Sequence, residues 1–180
     1  HSSSLSSQTL FKRGGQIRVT VSVSSIIPDS PDFPVSEFSD LDRLADADLL
    51  LVFTRFRVLP DAQMEMILSY VNSKRPVIGI RTANHAFHYP DGSPYDKWNL
   101  GFGREVLGAP WISHYGSKFG TRVTTVREME YHPVLEGVRS EFRLRSWLYH
   151  VLPLSDGCEP LLIGATEDAD RDRSTDNPVA

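Results

Sequence analysis

The chain predicts an α/β fold, an open and mostly parallel sheet with helices on both faces. Three observations carry that expectation. Leu49 to Phe53 and Val77 to Ile80 are apolar runs too short for helices and bounded by polar residues, as parallel strands buried on both faces read. Between them Met64, Ile67, Leu68 and Val71 fall at i, i+3, i+4 and i+7, the period of a helix with one apolar side. Strand, helix, strand with short connections is the βαβ unit, which places successive strands in parallel.

Taken in order, Ser4 to Arg13 reads as a short helix closed by Gly14-Gly15, with Lys12 and Arg13 at the favourable end of its dipole. Ile17, Val19, Val21 and Val23 then alternate with Arg18, Thr20 and Ser22, which is period two and predicts a strand with one buried face. Pro28, Pro31 and Pro34 make the next stretch a loop, after which Ser39 is placed to cap a short helix through Leu41, Leu44 and Ala47. Leu59-Pro60-Asp61 opens the main helix, and Pro76 requires it to stop. Past His85 the sequence turns irregular around Pro90, Gly92 and Pro94. A short helix near Arg104 to Leu107 and strands at Thr121 to Val126, Phe142 to Val151 and Leu161 to Ile163 follow. Residues 1–180 are expected to form a single domain, with 1–16 poorly defined and 167–177 a solvated loop. Asn177-Pro178-Val179-Ala180 reads as the entry to a strand with no partner in the chain, so the polypeptide is expected to continue past Ala180, and His1 reads as a tag remnant, a processed end or a fragment boundary.

Composition narrows the function. With 40% hydrophobic and 23% charged residues, and 12 Gly and 12 Pro among 180, disorder, collagen and coiled coil are disfavoured. A net charge of −4 without a block of like charges gives no support to a nucleic-acid partner. No apolar run approaches the roughly 20 residues a membrane helix needs, so the chain is expected to be soluble, cytoplasmic or exported, with no membrane partner. The single cysteine, Cys158, has no nearby cation or helix start to activate it, and it leaves the redox compartment undetermined.

In open α/β sheets, ligands bind beyond the carboxyl ends of the strands. The residues there are polar: Thr54, Arg55 and Arg57 after the first apolar run, and Arg81, Thr82, Asn84 and His85 after the second. Forked guanidinium donors suit a carboxylate, a phosphate or sugar hydroxyls, although the same arginines could instead pair with Asp46, Asp48, Asp61 or Glu105 and tie loops down. His85 and His88 have metal-ligand spacing, and Asp91 could add an oxygen. Pro90 breaks the helix beside them, however, so no metal and no cofactor are assigned. His114, His132 and His150 are isolated. Trp98, Trp111, Tyr95 and Tyr115 could stack on a sugar or serve the core.

Val52-Phe53-Thr54-Arg55-Phe56-Arg57, Tyr70-Val71-Asn72, the run Pro76 to Ala83, Trp98-Asn99, Gly108-Ala109-Pro110-Trp111, His114, His132-Pro133-Val134 and Pro178-Val179-Ala180 together resemble the trehalose-utilisation (ThuA-like) family. The likeness covers most of the chain from about Leu41 onward. It implies a flavodoxin-like sheet of the class I glutamine amidotransferase-like superfamily, incomplete here at both ends, since the family's opening and closing strands are missing. In that superfamily a nucleophilic cysteine sits within G-x-C-x-G. Here the turn reads Gly79-Ile80-Arg81-Thr82-Ala83, so Arg81 occupies the nucleophile slot, where many ThuA-like proteins carry a histidine. An Asp-Glu pair usual before a tyrosine near the family's end is replaced in Ser146-Trp147-Leu148-Tyr149. The resemblance implies a role in bacterial carbohydrate metabolism, with Arg55, Arg81, Thr82, His85 and His114 lining a cleft for a small polar ligand, a sugar derivative. Whether the chain is an enzyme and whether it forms a homo-oligomer stay open, and a non-catalytic binding or interaction module is the alternative.

Overall fold

The alternating stretch around Ile17 becomes one arm of a hairpin. In the computed structural model, which describes residues 8–12, 15–22, 24–26, 35–115, 120–166 and 177–179 (backbone alone for 8–17 and 24–26), β1 (Gln8–Lys12) pairs antiparallel with β2 (Gly15–Val19). The helix expected over Ser4 to Arg13 is therefore a strand where it is described. An isolated helix this short is marginal, and Thr9 and Phe11 favour extended backbone. β2 ends at Val19, and Val21 is half exposed. Val23 and the Pro28 to Pro34 loop lie outside the described residues.

The chain forms two units, His1–Asn99 and Leu100–Ala180. In the first, β3 (Ser24–Ile26) pairs antiparallel with β4 (Ser36–Phe38). A 3-10 turn at Leu41–Asp46 then buries Leu41 and Leu44. Ser39 does not cap it. Asp40 takes the cap position at φ 51 without a side-chain bond, and the Ser39 hydroxyl is buried with no hydrogen-bond partner among the described residues.

β5 (Leu50–Val52), α1 (Asp61–Asn72) and β6 (Val77–Gly79) realise the βαβ unit, with Leu51 opposite Ile78 in a parallel pair. Of the expected apolar face, Met64 and Ile67 are buried and Leu68 and Val71 part-buried, and Tyr70, outside that spacing, is buried beside them. The Gln63 amide accepts from and donates to the Phe38 backbone, 2.8 Å each way, and holds β4 to the helix. Beyond the helix, Arg75 donates to the carbonyls of Ala45 (2.9 Å) and Ala47 (2.6 Å) while its guanidinium lies 4.2 Å over the Tyr70 ring.

The parallel pair is covered on one face only. Leu49, Leu51, Phe53, Ile78 and Ile80 are each between 38 and 64% exposed, against the expectation of strands buried on both faces.

Past Ile80 the architecture departs from the expected open parallel sheet. α2 (Trp98–Gly101) runs into a π-helical turn at Phe102–Val106, where a short helix near Arg104 to Leu107 was expected. β7 (Ser113–His114), β8 (Thr121–Thr125), β9 (Glu141–Leu144), β10 (Tyr149–His150), β11 (Leu162–Thr166) and β12 (Asn177–Pro178) follow. β7 pairs with β10, and the other four form a sheet in the order β12-β11-β8-β9, every neighbour antiparallel. The strand expected over Phe142 to Val151 is two strands, broken at 145–148. Val123, Leu135 and Leu162 form the core of this sheet, with Phe142 and Leu161 packed against them.

Among the described residues the chain is thus a set of small sheets with one parallel strand pair and two isolated parallel bridges, not a flavodoxin-like sheet flanked by helices. The cause lies in the connections. A parallel return needs a crossover of a dozen or more residues, usually a helix. The described connection between β8 and β9 holds two short 3-10 turns, Arg127–Met129 and Pro133–Leu135, and no α-helix, and β9 returns antiparallel to β8. The Pro178-Val179 segment, expected to lack a partner, pairs with β11: Pro178 lies opposite Ile163, and the Val179 amide donates to the Leu162 carbonyl at 2.8 Å. Among the described residues no helix is long and apolar enough to cross a membrane.

Candidate functional site

β5 and β6 are parallel neighbours, so the loops that leave their carboxyl ends start about 5 Å apart and run side by side. The Phe56 amide donates to the His85 carbonyl (3.0 Å), Arg57 to Ala86 (2.7 Å), and His88 back to Arg57 (3.0 Å). The Thr82 hydroxyl donates to the Thr54 carbonyl at 2.7 Å. Two residues on these loops are forced into the left-handed region, Phe56 at φ 48 and Arg81 at φ 50. For side chains with a Cβ this costs on the order of 1 kcal/mol or more, and such strain gathers at functional positions. Arg81 stands where β6 turns sharply into the 3-10 segment Arg81–His85, and its side chain is exposed. A strained strand-to-helix turn is how α/β hydrolases present a nucleophile above the sheet. Here the turn presents a guanidinium.

Phe56 organises the other side. The Arg55 guanidinium lies 4.8 Å over its ring, and the same ring is 5.0 Å from His85 and 5.4 Å from His88. His85 is 3% exposed, with Nδ1 2.8 Å from Asn84 Oδ1. An amide oxygen only accepts, so His85 Nδ1 carries the proton of that bond. The Thr54 hydroxyl and Arg57 Nε are buried without hydrogen-bond partners among the described residues, so polar capacity remains beside the arginines. Among the described residues no group of three His, Cys, Asp or Glu side chains is placed to hold a metal.

Behind these loops two tyrosines pin the chain from 89 to 99. The Tyr89 hydroxyl accepts from the Leu59 amide (3.1 Å) and donates to its carbonyl (3.2 Å), and burial pushes Tyr89 up to about 12. Tyr95 donates to Glu65 Oε1 at 2.8 Å, a bond that the phenolate would lose, which pushes Tyr95 up to about 12 as well.

Of the residues singled out in the sequence, Arg55, Arg81, Thr82 and His85 belong to these two adjoining loops. His114 belongs to the second unit, on β7, where its ring stacks on Trp147. Cys158 is also in the second unit, exposed, on a loop held by the Ser155 amide to Gly108 O (2.9 Å) and by the Ser155 hydroxyl to Arg104 O (2.7 Å). Sequence reasoning missed Phe56 and Trp147. No local pattern announces a left-handed phenylalanine, and Trp147 carries no motif of its own. No family model, no curated protein and no solved structure matches this chain.

Proposed function

We propose that the chain binds a small anionic carbohydrate derivative at the paired loops after β5 and β6, with Arg55 and Arg81 as the anion donors and without a covalent nucleophile. One observation carries this reading: neighbouring parallel strands each deliver an exposed arginine at a left-handed turn, Arg55 beside Phe56 and Arg81 itself. Guanidinium forks match carboxylate and phosphate geometry and also reach sugar hydroxyls. Thr82 fixes the spacing of the loops through Thr54, and His85 is held by Asn84. The likeness to the trehalose-utilisation family, with its nucleophile slot filled by Arg81, points to the same ligand class. That slot also favours the alternative of binding without turnover, because an arginine cannot attack a carbonyl.

Calorimetric titration of the chain with D-glucuronate and glucose 6-phosphate, and with glucose as the neutral control, tests the proposal. Charge-assisted bonds contribute about 1.5–3 kcal/mol, so Arg81→Ala should weaken binding of the charged sugars by about tenfold to a hundredfold. A lowered melting temperature with unaltered affinity would identify Arg81 as a structural residue and sink the proposal.

A further inference from the structure

Exposure alternates along β5 and β6 with period two. Leu49, Leu51 and Phe53 are exposed while Leu50 and Val52 between them are part-buried, and part-buried Val77 precedes exposed Ile78. Successive side chains of a strand point to opposite faces, so each exposed set shares one face. Leu51 stands opposite Ile78 in the parallel ladder, and the Ile80 amide extends that ladder by donating to the Val52 carbonyl at 2.8 Å. Leu49, Leu51, Phe53, Ile78 and Ile80 therefore lie side by side on one face of the pair.

That face has the composition of an interior. All five side chains are aliphatic or aromatic, whereas a sheet face that meets water normally carries polar residues. At 38 to 64% exposure each, they offer roughly 500 Å² of apolar surface, the size at which a patch marks an interaction site. A standard interface takes about 800 Å² from each partner and a homodimer interface is about 65% apolar, which is about 500 Å² of apolar area per copy.

We propose that this face packs on the same face of a second copy, sheet on sheet, in a twofold dimer whose axis crosses Leu51 and Ile78. The inference stands apart from ligand binding at the arginine loops. A twofold rotation can lay a sheet face on itself with the strands of the two copies parallel or antiparallel. Charge selects between them. Exposed Arg55 and Arg81 follow the carboxyl ends of β5 and β6, and residues 54–58 and 80–88 include no Asp or Glu. The amino ends carry exposed Asp46 and Asp48 beside Lys74, while the Arg75 guanidinium is turned onto the carbonyls of Ala45 and Ala47. Antiparallel stacking lays the arginine end of one copy over the aspartate end of the other; parallel stacking would lay arginines over arginines. One surface thus supplies both its apolar complement and its charge complement. Centring the axis on Leu51 and Ile78 overlaps the largest apolar area and sets Leu49 of one copy over Phe53 of the other.

Sedimentation of the whole chain from roughly 1 to 100 μM should show a monomer–dimer equilibrium with a Kd at or below about 10 μM. Leu51→Asp places two unpaired carboxylates at the axis and should weaken association by at least about a hundredfold, whereas Met66→Asp, at a comparably exposed apolar position on α1, should leave it unchanged. Circular dichroism of each variant checks the fold. Leu49→Cys mixed with Phe53→Cys, both in a Cys158→Ser background, should be joined by a bis-maleimide spanning about 10 Å, the separation of stacked sheets, and neither variant alone should be. A chain that stays monomeric throughout the concentration range overturns the proposal and leaves the face to a different protein. So does a folded Leu51→Asp chain that dimerises as the parent does, a Met66→Asp chain that does not dimerise, or a mixture that links no better than either cysteine variant alone.

Discussion

Arg81 and Gly108 show how much a single backbone angle decides. Both lie in the left-handed region, at φ 50 and φ 70, one an arginine above a parallel strand and the other a glycine. At Gly108 the reason for glycine is visible, because a Cβ there would run into Cys158 Sγ. Gly108→Ala should therefore cost about 1–3 kcal/mol, from the left-handed backbone and from displacing the thiol. In a Cys158→Ala background the steric part should return and the backbone part remain, as a double-mutant cycle of urea midpoints would reveal. An identical loss in both backgrounds would mean that the thiol swings aside freely. The sequence marks neither position. Gly108 precedes Ala109-Pro110, an ordinary turn pattern, and nothing local distinguishes an arginine that must adopt φ 50 from one that need not. The residue types of the candidate site were legible; the strain that presents them was not.

At the scale of elements, α1 was the most readable part of the chain. A twelve-residue segment with apolar side chains at i, i+3 and i+4 has one way to bury them, and Met64 and Ile67 are where that spacing puts them. Two methionines on this helix make a clean comparison. Met64 is fully buried and Met66 is 40% exposed. Met64→Ala should cost about 2–5 kcal/mol, whereas Met66→Ala should stay within about 0.5 kcal/mol, both measured by chemical unfolding. Comparable losses would mean that the helix is rotated about its axis. The strands around it were less readable. β5 and β6 are apolar at every position, and an unbroken apolar run does not say whether one face or two will be covered. Here one face is covered, and Leu51 and Ile78 on the other are about half exposed. At the amino end, Gln8 to Lys12 is too short for periodicity to separate helix from strand, and the partner offered by β2 decides.

For the molecule as a whole, stability above neutral pH is linked to two phenols. Tyr89 and Tyr95 ionise near 12 in the folded chain, against an ordinary value of 10.0. The folded state thus binds their protons more tightly than the unfolded state does. Their contribution is fully present below about pH 10 and is lost as the pH rises from there through about 12. The two phenols should make urea midpoints fall as the pH rises beyond about 10, and absorbance at alkaline pH should show Tyr89 and Tyr95 ionising late. Tyr89→Phe should remove one late phenol and shallow the decline; a profile unchanged by it would show that Tyr89 is not so held. At this scale the sequence by itself determined the βαβ unit, the inward face of α1 and the chemistry at the ends of β5 and β6, because each follows from side-chain period or residue type within a dozen positions. The tertiary structure alone decided that one parallel strand pair forms among the described residues, that Pro178 finds its partner on β11, and that His114 stacks on Trp147 in the second unit while Arg55 and Arg81 belong to the first. Those outcomes depend on which distant strands meet, and pairing between residues far apart in the chain is set by packing and connection geometry that no local pattern encodes.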